Sequence, residues 1–106
     1  MKGWTYNNNF YIFGGRYDYS NYCNDLFQLN IQTFKWKKIN NLNNNFPSKR
    51  SRYMIYQNQS IIILFGGQEG RSYFNDFYLF SCISNQFQKL NIINDIPEPR
   101  EFVFLF

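Results

Sequence analysis

Apolar and polar residues alternate along this chain with the period of a β-strand, and no stretch repeats with the period of a helix. Phe27, Leu29 and Ile31 alternate with Gln28 and Asn30, which gives a strand one apolar face. The chain turns at Gln32-Thr33, and a second run follows through Phe34, Trp36 and Lys38. Ile61 to Phe65 is a continuous apolar run rich in β-branched residues, the pattern of a strand buried on both faces. Gln57-Asn58-Gln59 separates it from Tyr53–Tyr56, and Asn7-Asn8-Asn9 separates Trp4-Thr5-Tyr6 from the run beginning at Phe10. Asparagine tolerates the positive φ that such hairpin turns need. The spacing predicts antiparallel strands at 4–6, 10–14, 25–31 and 34–39, and again at 52–57, 60–66, 76–82 and 86–90. Residues 101–106 look like the first strand of a third unit.

The two sets of strands carry the same landmarks. Ile12-Phe13-Gly14-Gly15 returns as Leu64-Phe65-Gly66-Gly67, 52 residues on. Asn24-Asp25-Leu26 returns as Asn75-Asp76-Phe77, and Trp36-Lys37-Lys38-Ile39 as Phe87-Gln88-Lys89-Leu90, both after 51 residues. Pro47 and Arg50 return as Pro97 and Arg100 after 50. A fixed period of this size is the signature of repeat architecture. The double glycines are expected to end their strands beside a tightly packed neighbour, where a Cβ would block the approach.

These landmarks resemble the kelch repeat, whose period is about 50 residues. Its pattern runs from a Pro-x-x-Arg lead-in through two strands ending in Gly-Gly, an aromatic-rich loop, a third strand, and a Trp before the next lead-in. The second unit matches through Pro47, Arg50, Gly66-Gly67, Tyr73 and Phe87, and the first through Gly14-Gly15, Tyr22 and Trp36. The resemblance implies an all-β fold of kelch-type four-stranded antiparallel blades, a partial β-propeller. The first repeat covers 1–46, the second 47–96, and a third begins at 97–106. Phe87 replaces the usual Trp and should still fill a large apolar site. The His common after the Arg lead-in is missing, with Tyr53 and Val103 near those positions. Family members close rings of commonly about five to seven blades, and closure removes exposed edges and faces. Two blades leave two outer faces unpaired. Self-association, a covering partner protein, or missing blades of a longer propeller would complete them; the last is favoured.

Composition adds little to this. The chain has no Ala, no His and a single Val, with Asn, Ile, Phe, Tyr and Lys used heavily, as an AT-rich coding sequence would impose. The net charge of +4 comes with two basic groups, Lys35/Lys37/Lys38 and Lys49/Arg50/Arg52, read as solvated faces; no nucleic-acid-binding motif accompanies them. Cys23 and Cys82 occupy non-equivalent repeat positions, and with no His a zinc site is not expected. No leader is evident after Met1 and no apolar run reaches membrane-spanning length, so a soluble cytoplasmic protein, bound to neither membrane nor nucleic acid, is the expectation.

The resemblance also implies where binding occurs. In kelch propellers the loops between the second and third strands, and those leading to the next blade, emerge on one face. Here they are Arg16 to Tyr22, Gln68 to Phe74, Asn40 to Arg52 and Asn91 to Arg100. They carry Arg16, Tyr17, Tyr19, Tyr22, Arg50, Arg52, Arg71 and Tyr73, candidate partner-binding residues of the types that dominate binding hot spots. Arginine can hold a carboxylate by two parallel hydrogen bonds, which points to acidic or polar peptide segments. Arg50 and Arg100, being repeat-equivalent, have a competing reading as braces between blades. Asp25 and Asp76 read as turn or backbone-bonded residues rather than as a catalytic pair, and the Tyr and Trp positions read first as core.

The function expected is a non-catalytic protein–protein interaction module with an unidentified protein partner, no cofactor, no catalytic residue and no metal. The alternative is a fragment of a kelch-propeller enzyme of the sugar oxidase or isomerase type. Such oxidases need histidine ligands, which this chain does not supply.

Overall fold

A computed structural model describes residues 2–40 and 45–91. They form ten strands: β1 (Lys2–Tyr6), β2 (Asn9–Arg16), β3 (Tyr22–Asn30), β4 (Lys35–Ile39), β5 (Met54–Asn58), β6 (Ile61–Phe65), β7 (Gln68–Glu69), β8 (Ser72–Tyr73), β9 (Phe77–Ser81) and β10 (Gln86–Leu90). β1 to β4 make one antiparallel sheet in chain order, blade 1. β5, β6, β9 and β10 make a second in the same order, blade 2. The described residues contain no helix, and so none long and apolar enough to cross a membrane. Pro97, Arg100 and the strand expected at 101–106 lie outside the described residues.

Local chemistry sets the turns. Asn7, Phe34, Gln59 and Asn85 all adopt positive φ at strand connections, and they fall at two pairs of repeat-equivalent positions. Phe34 is the costly member of this set, since a bulky side chain disfavours that region. It is kept there by the same Asn30-led turn in which Asn30 Oδ1 accepts from the backbone N–H groups of Gln32 and Thr33.

Strand alternation gives each blade two faces. In blade 1 the rows Lys2-Phe13-Leu26-Ile39 and Trp4-Tyr11-Gln28-Lys37 share one face. The rows Gly3-Ile12-Phe27-Lys38 and Thr5-Phe10-Leu29-Trp36 share the other. Blade 2 presents the rows Gln57-Ile62-Phe80-Phe87 and Ile55-Leu64-Tyr78-Lys89 to the first face of blade 1. The core is this inter-blade layer: Trp4, Tyr11, Phe13, Leu26, Ile62, Leu64, Phe80 and Phe87 are all buried in one cluster. Trp4 and Tyr11 meet Phe80 at ring-centroid distances of 5.3 and 5.4 Å, and Phe13 meets Phe87 at 5.2 Å. Tyr11 donates across the layer to Asn85 Oδ1 at 2.8 Å while accepting from Gln28.

Trp36 corrects one sequence expectation. It does not enter the core: it is 54% exposed, whereas the equivalent Phe87 is 1% exposed. The residues have the same place in their strands, but only Phe87 lies beneath a neighbouring blade. Phe87 does fill the large apolar site expected of it.

The glycines correct another. Gly66-Gly67 follows the last residue of β6, but Gly14-Gly15 does not end β2, which continues to Arg16. Between the pairs Phe13↔Leu26 and Gly15↔Cys23, Asn24 and Asp25 stand opposite the single Gly14, so the strands pass through a bulge. The four glycines have φ of 65°, 107°, 71° and 106°. A Cβ on Gly14 would lie 2.8 Å from the Arg50 carbonyl oxygen, and one on Gly67 would lie 2.7 Å from that of Ser51. Both glycine pairs therefore let the lead-in segment of blade 2 lie flat against strand ends.

Candidate functional site

The two long loops differ in how they are built. The first, 17–21, is held by Asp18, whose Oδ1 accepts from the backbone N–H of Ser20 and of Asn21 and whose two oxygens both accept from Asn21 Nδ2. Those bonds hold the exposed Asp18 carboxyl below the usual aspartate range. The turn leaves Tyr17 exposed and Tyr19, at its tip, 95% exposed. The second loop contains a short hairpin the sequence did not reveal, β7 paired with β8 around Gly70 at φ 61°. Gln68 anchors it to the lead-in by a reciprocal pair of backbone bonds with Ser51, both 2.9 Å.

Tyr22 joins the two loops. Burial pushes its phenol up, but hydrogen bonds with the Gly70 backbone, Arg16 and Gln68, together with the charge of Arg16, outweigh that and bring it below the usual tyrosine value. The Arg16 guanidinium carbon stands 5.9 Å from the centre of the Tyr22 ring. Tyr22 is buried between the loops. It acts by making the rim of blade 1 continuous with the hairpin of blade 2.

Arg50 is buried as well. It is 1% exposed. Its five N–H donors make five bonds: Nε to Ser48 O, Nη1 to Gly66 O and Asp76 Oδ1, and Nη2 to Ser48 Oγ and Asp76 Oδ2. Its guanidinium also lies 4.1 Å from the Phe74 ring centre and 5.6 Å from that of Tyr78. Its backbone bonds blade 1, accepting from Gly15 N–H and donating to Cys23 O. Arg50 is a brace between blades, and Asp76 is its ion-pair partner rather than a turn former. Asp25, the equivalent acid, is instead half-exposed with Lys38 at 3.3 Å.

The remaining candidates share one rim. Arg16, Tyr17 and Tyr19 come from blade 1, Arg71 and Tyr73 from the hairpin, and Arg52 from the lead-in; all are exposed. The basic groups seen in the sequence are divided. Lys37 and Lys38 point to opposite faces of β4, and Arg50 is buried beside exposed Lys49 and Arg52. Among the described residues, no three His, Cys, Asp or Glu side chains gather as a metal site needs. Open hollows of about 290 and 200 Å³ lie along the β4 edge, one lined by Lys37, Asn40, Asn85 and Gln86 and the other by Asn24, Asp25 and Phe46.

Paired four-stranded blades, a double glycine in each and an arginine lead-in define a kelch-type repeat protein. The chain belongs to that family: residues 2–105 match the family described as the KLHDC2/KLHL20/DRC7 Kelch-repeats domain. It is 32% identical over 88 residues to Kelch domain-containing protein 10 of Homo sapiens, covering 79% of this chain and 20% of that protein. The Rattus norvegicus protein of the same name gives the same identity over 21% of its length. Host cell factor homolog hcf-1 of Caenorhabditis elegans is 27% identical over 111 residues, which cover 89% of this chain and 14% of that protein. The chain thus spans about a fifth or less of the length of the curated relatives it matches.

Proposed function

We propose that this chain is a non-catalytic binding module that takes acidic or polar segments of a protein partner on the rim formed by the 17–21 loop and the β7–β8 hairpin. The observation that carries this reading is the lead-in segment, whose Arg50 backbone bonds Gly15 and Cys23 of blade 1 while Ser51 bonds Gln68 of the hairpin, so that two loops of different blades are held in one surface. Side chains on a surface fixed beforehand lose less freedom on binding. Arg16 and Arg71 supply charge and bidentate donors, and Tyr17, Tyr19 and Tyr73 supply amphipathic contact area, the mix that concentrates binding energy. We further place it in the cytoplasm; Cys23 and Cys82 are free thiols, as a reducing compartment keeps them.

Display of random peptides against the chain tests the reading. Selected segments should be rich in Asp, Glu and polar residues, and Arg16→Ala with Arg71→Ala should weaken their binding about tenfold or more. Segments that bind the double variant as well as the parent would overturn the assignment of the rim. Turnover in an unbiased activity screen, lost on changing Asp25 or Asp76, would overturn the non-catalytic reading.

A further inference from the structure

Among the described residues, five other than glycine adopt positive φ: Asn7, Phe34, Arg52, Gln59 and Asn85. Four of them serve turns between paired strands. Arg52, at φ 58°, does not; it lies in the lead-in, just before β5 begins at Met54. The backbone there continues the pairing of β5 with β6. Met54 stands opposite Phe65 and Ser51 opposite Gln68, which sets Arg52 opposite Gly67 and Tyr53 opposite Gly66. The two chains bend together at this point, Gly66 and Gly67 having φ of 71° and 106°. On one side glycine supplies the bend without strain. On the other the bend falls on an arginine, whose Cβ disfavours it.

Glycine or asparagine would hold the same backbone at less cost. Burial gives nothing back: Ser51 and Tyr53 on either side are buried, whereas Arg52 is exposed. Bonds its side chain makes within the chain are therefore screened by water and contribute little. Strained residues of this kind cluster at binding sites and switches. The position suits such a site. Ser51, one residue back, exchanges two backbone bonds with Gln68 at the foot of the β7–β8 hairpin. The carbonyl of Arg50, one residue further back, accepts from the N–H of Gly15, next to Arg16. Arg52 thus follows directly on the seam between the two loops, with the Arg16 loop on one side and the Arg71 hairpin on the other.

We propose that Arg52 is the anchoring and specificity-determining residue of this rim, kept in a disfavoured conformation because its guanidinium, projecting from the seam, takes a carboxylate of an acidic peptide segment by two parallel hydrogen bonds. The assignment rests on the rim as the binding surface and ranks Arg52 above Arg16 and Arg71. Those two sit on the loops around it, while the residue at the centre of a contact carries most of the binding energy.

Fluorescence anisotropy of a fluorescein-labelled hexaglutamate peptide at low salt, with a hexalysine peptide as control, tests this together with thermal unfolding. Arg52→Asn should unfold at the parent's temperature or above it, yet bind hexaglutamate at least about tenfold more weakly. Arg52→Lys keeps the charge without the fork and should bind with intermediate affinity. If Arg52→Asn unfolds below the parent, the arginine is held for the fold and the proposal is overturned. If Arg16→Ala with Arg71→Ala weakens binding and Arg52→Asn does not, the rim stands but Arg52 is not its anchor. If none of these variants changes affinity, or the parent does not prefer hexaglutamate to hexalysine, the rim falls as a binding surface for acidic segments and the role of Arg52 falls with it.

Discussion

Asp76 holds Arg50 by two parallel bonds, 2.6 Å to Nη1 and 3.1 Å to Nη2, and the residue it holds ties two blades together. The pair works because every donor of the arginine is used. Buried charge without a partner is costly, while a fully bonded fork offsets its desolvation. The Arg50 backbone bonds Gly15 and Cys23 of blade 1 while its side chain bonds Gly66 and Asp76 of blade 2. One residue thereby fixes the spacing of the two sheets.

Arg50→Ala should accordingly cost about 3–5 kcal/mol, because it leaves the Asp76 carboxylate and the Gly66 carbonyl without their partner. Arg50→Lys should fall in between, keeping the charge but losing the fork. Urea unfolding followed by tryptophan fluorescence measures both.

Phe87 and Trp36 provide a matched pair of deletions. Phe87→Ala removes a ring packed against Phe13, Phe46 and Phe80, and should cost about 3–5 kcal/mol. Trp36→Ala at the equivalent exposed position should cost under about 1 kcal/mol. The comparison is made by denaturant titration at a concentration where the chain is monomeric, and equal costs would contradict the asymmetry of the two faces.

Gly67 and Gly70 separate two effects of a left-handed backbone. Gly70→Ala meets open space and bears only the conformational cost at φ 61°, about 1–2 kcal/mol. Gly67→Ala adds a collision with the Ser51 carbonyl and should cost more, through displacement of the lead-in strand. Thermal unfolding of the two variants should rank them in that order.

Stability should fall at alkaline pH. Burial pushes the Cys82 thiol up to about 11. Burial also raises Tyr53, whose hydroxyl lies between the carbonyls of Phe13 and Lys2, and raises Tyr11 and Tyr78. Each group is protonated when folded and loses its proton more readily when unfolded. The stability tied to Cys82 is thus fully present below its ordinary value of 9.0 and is lost as pH rises from there through about 11. Urea midpoints measured from pH 8 to 11 should decline. At pH 8 a thiol reagent should modify half-buried Cys23 well before Cys82, which requires unfolding.

Much of the fold was legible because the relevant signals are local. Alternation located the eight blade strands to within about three residues at each end, and the repeated Gly-Gly and Asn-Asp pairs marked equivalent positions. The β7–β8 hairpin was not legible, since its strands are two residues each and its register depends on Ser51, far back in the chain. The rim was readable as a set of loops, but the burial of Tyr22 and Arg50 within it was not. Their residue types suit a binding face equally well, and only the neighbours they meet distinguish the two roles.

The sequence by itself determined the period, the strand order, the turns and the places where only glycine serves, because backbone sterics and side-chain alternation act within a few residues. Tertiary structure decided which of two equivalent residues is buried. Phe87 and Trp36, Asp76 and Asp25 carry the same local signals, yet one of each pair is covered and the other open. Burial is a property of what packs on top, and in a stacked-blade architecture that is supplied by a neighbour about 50 residues away.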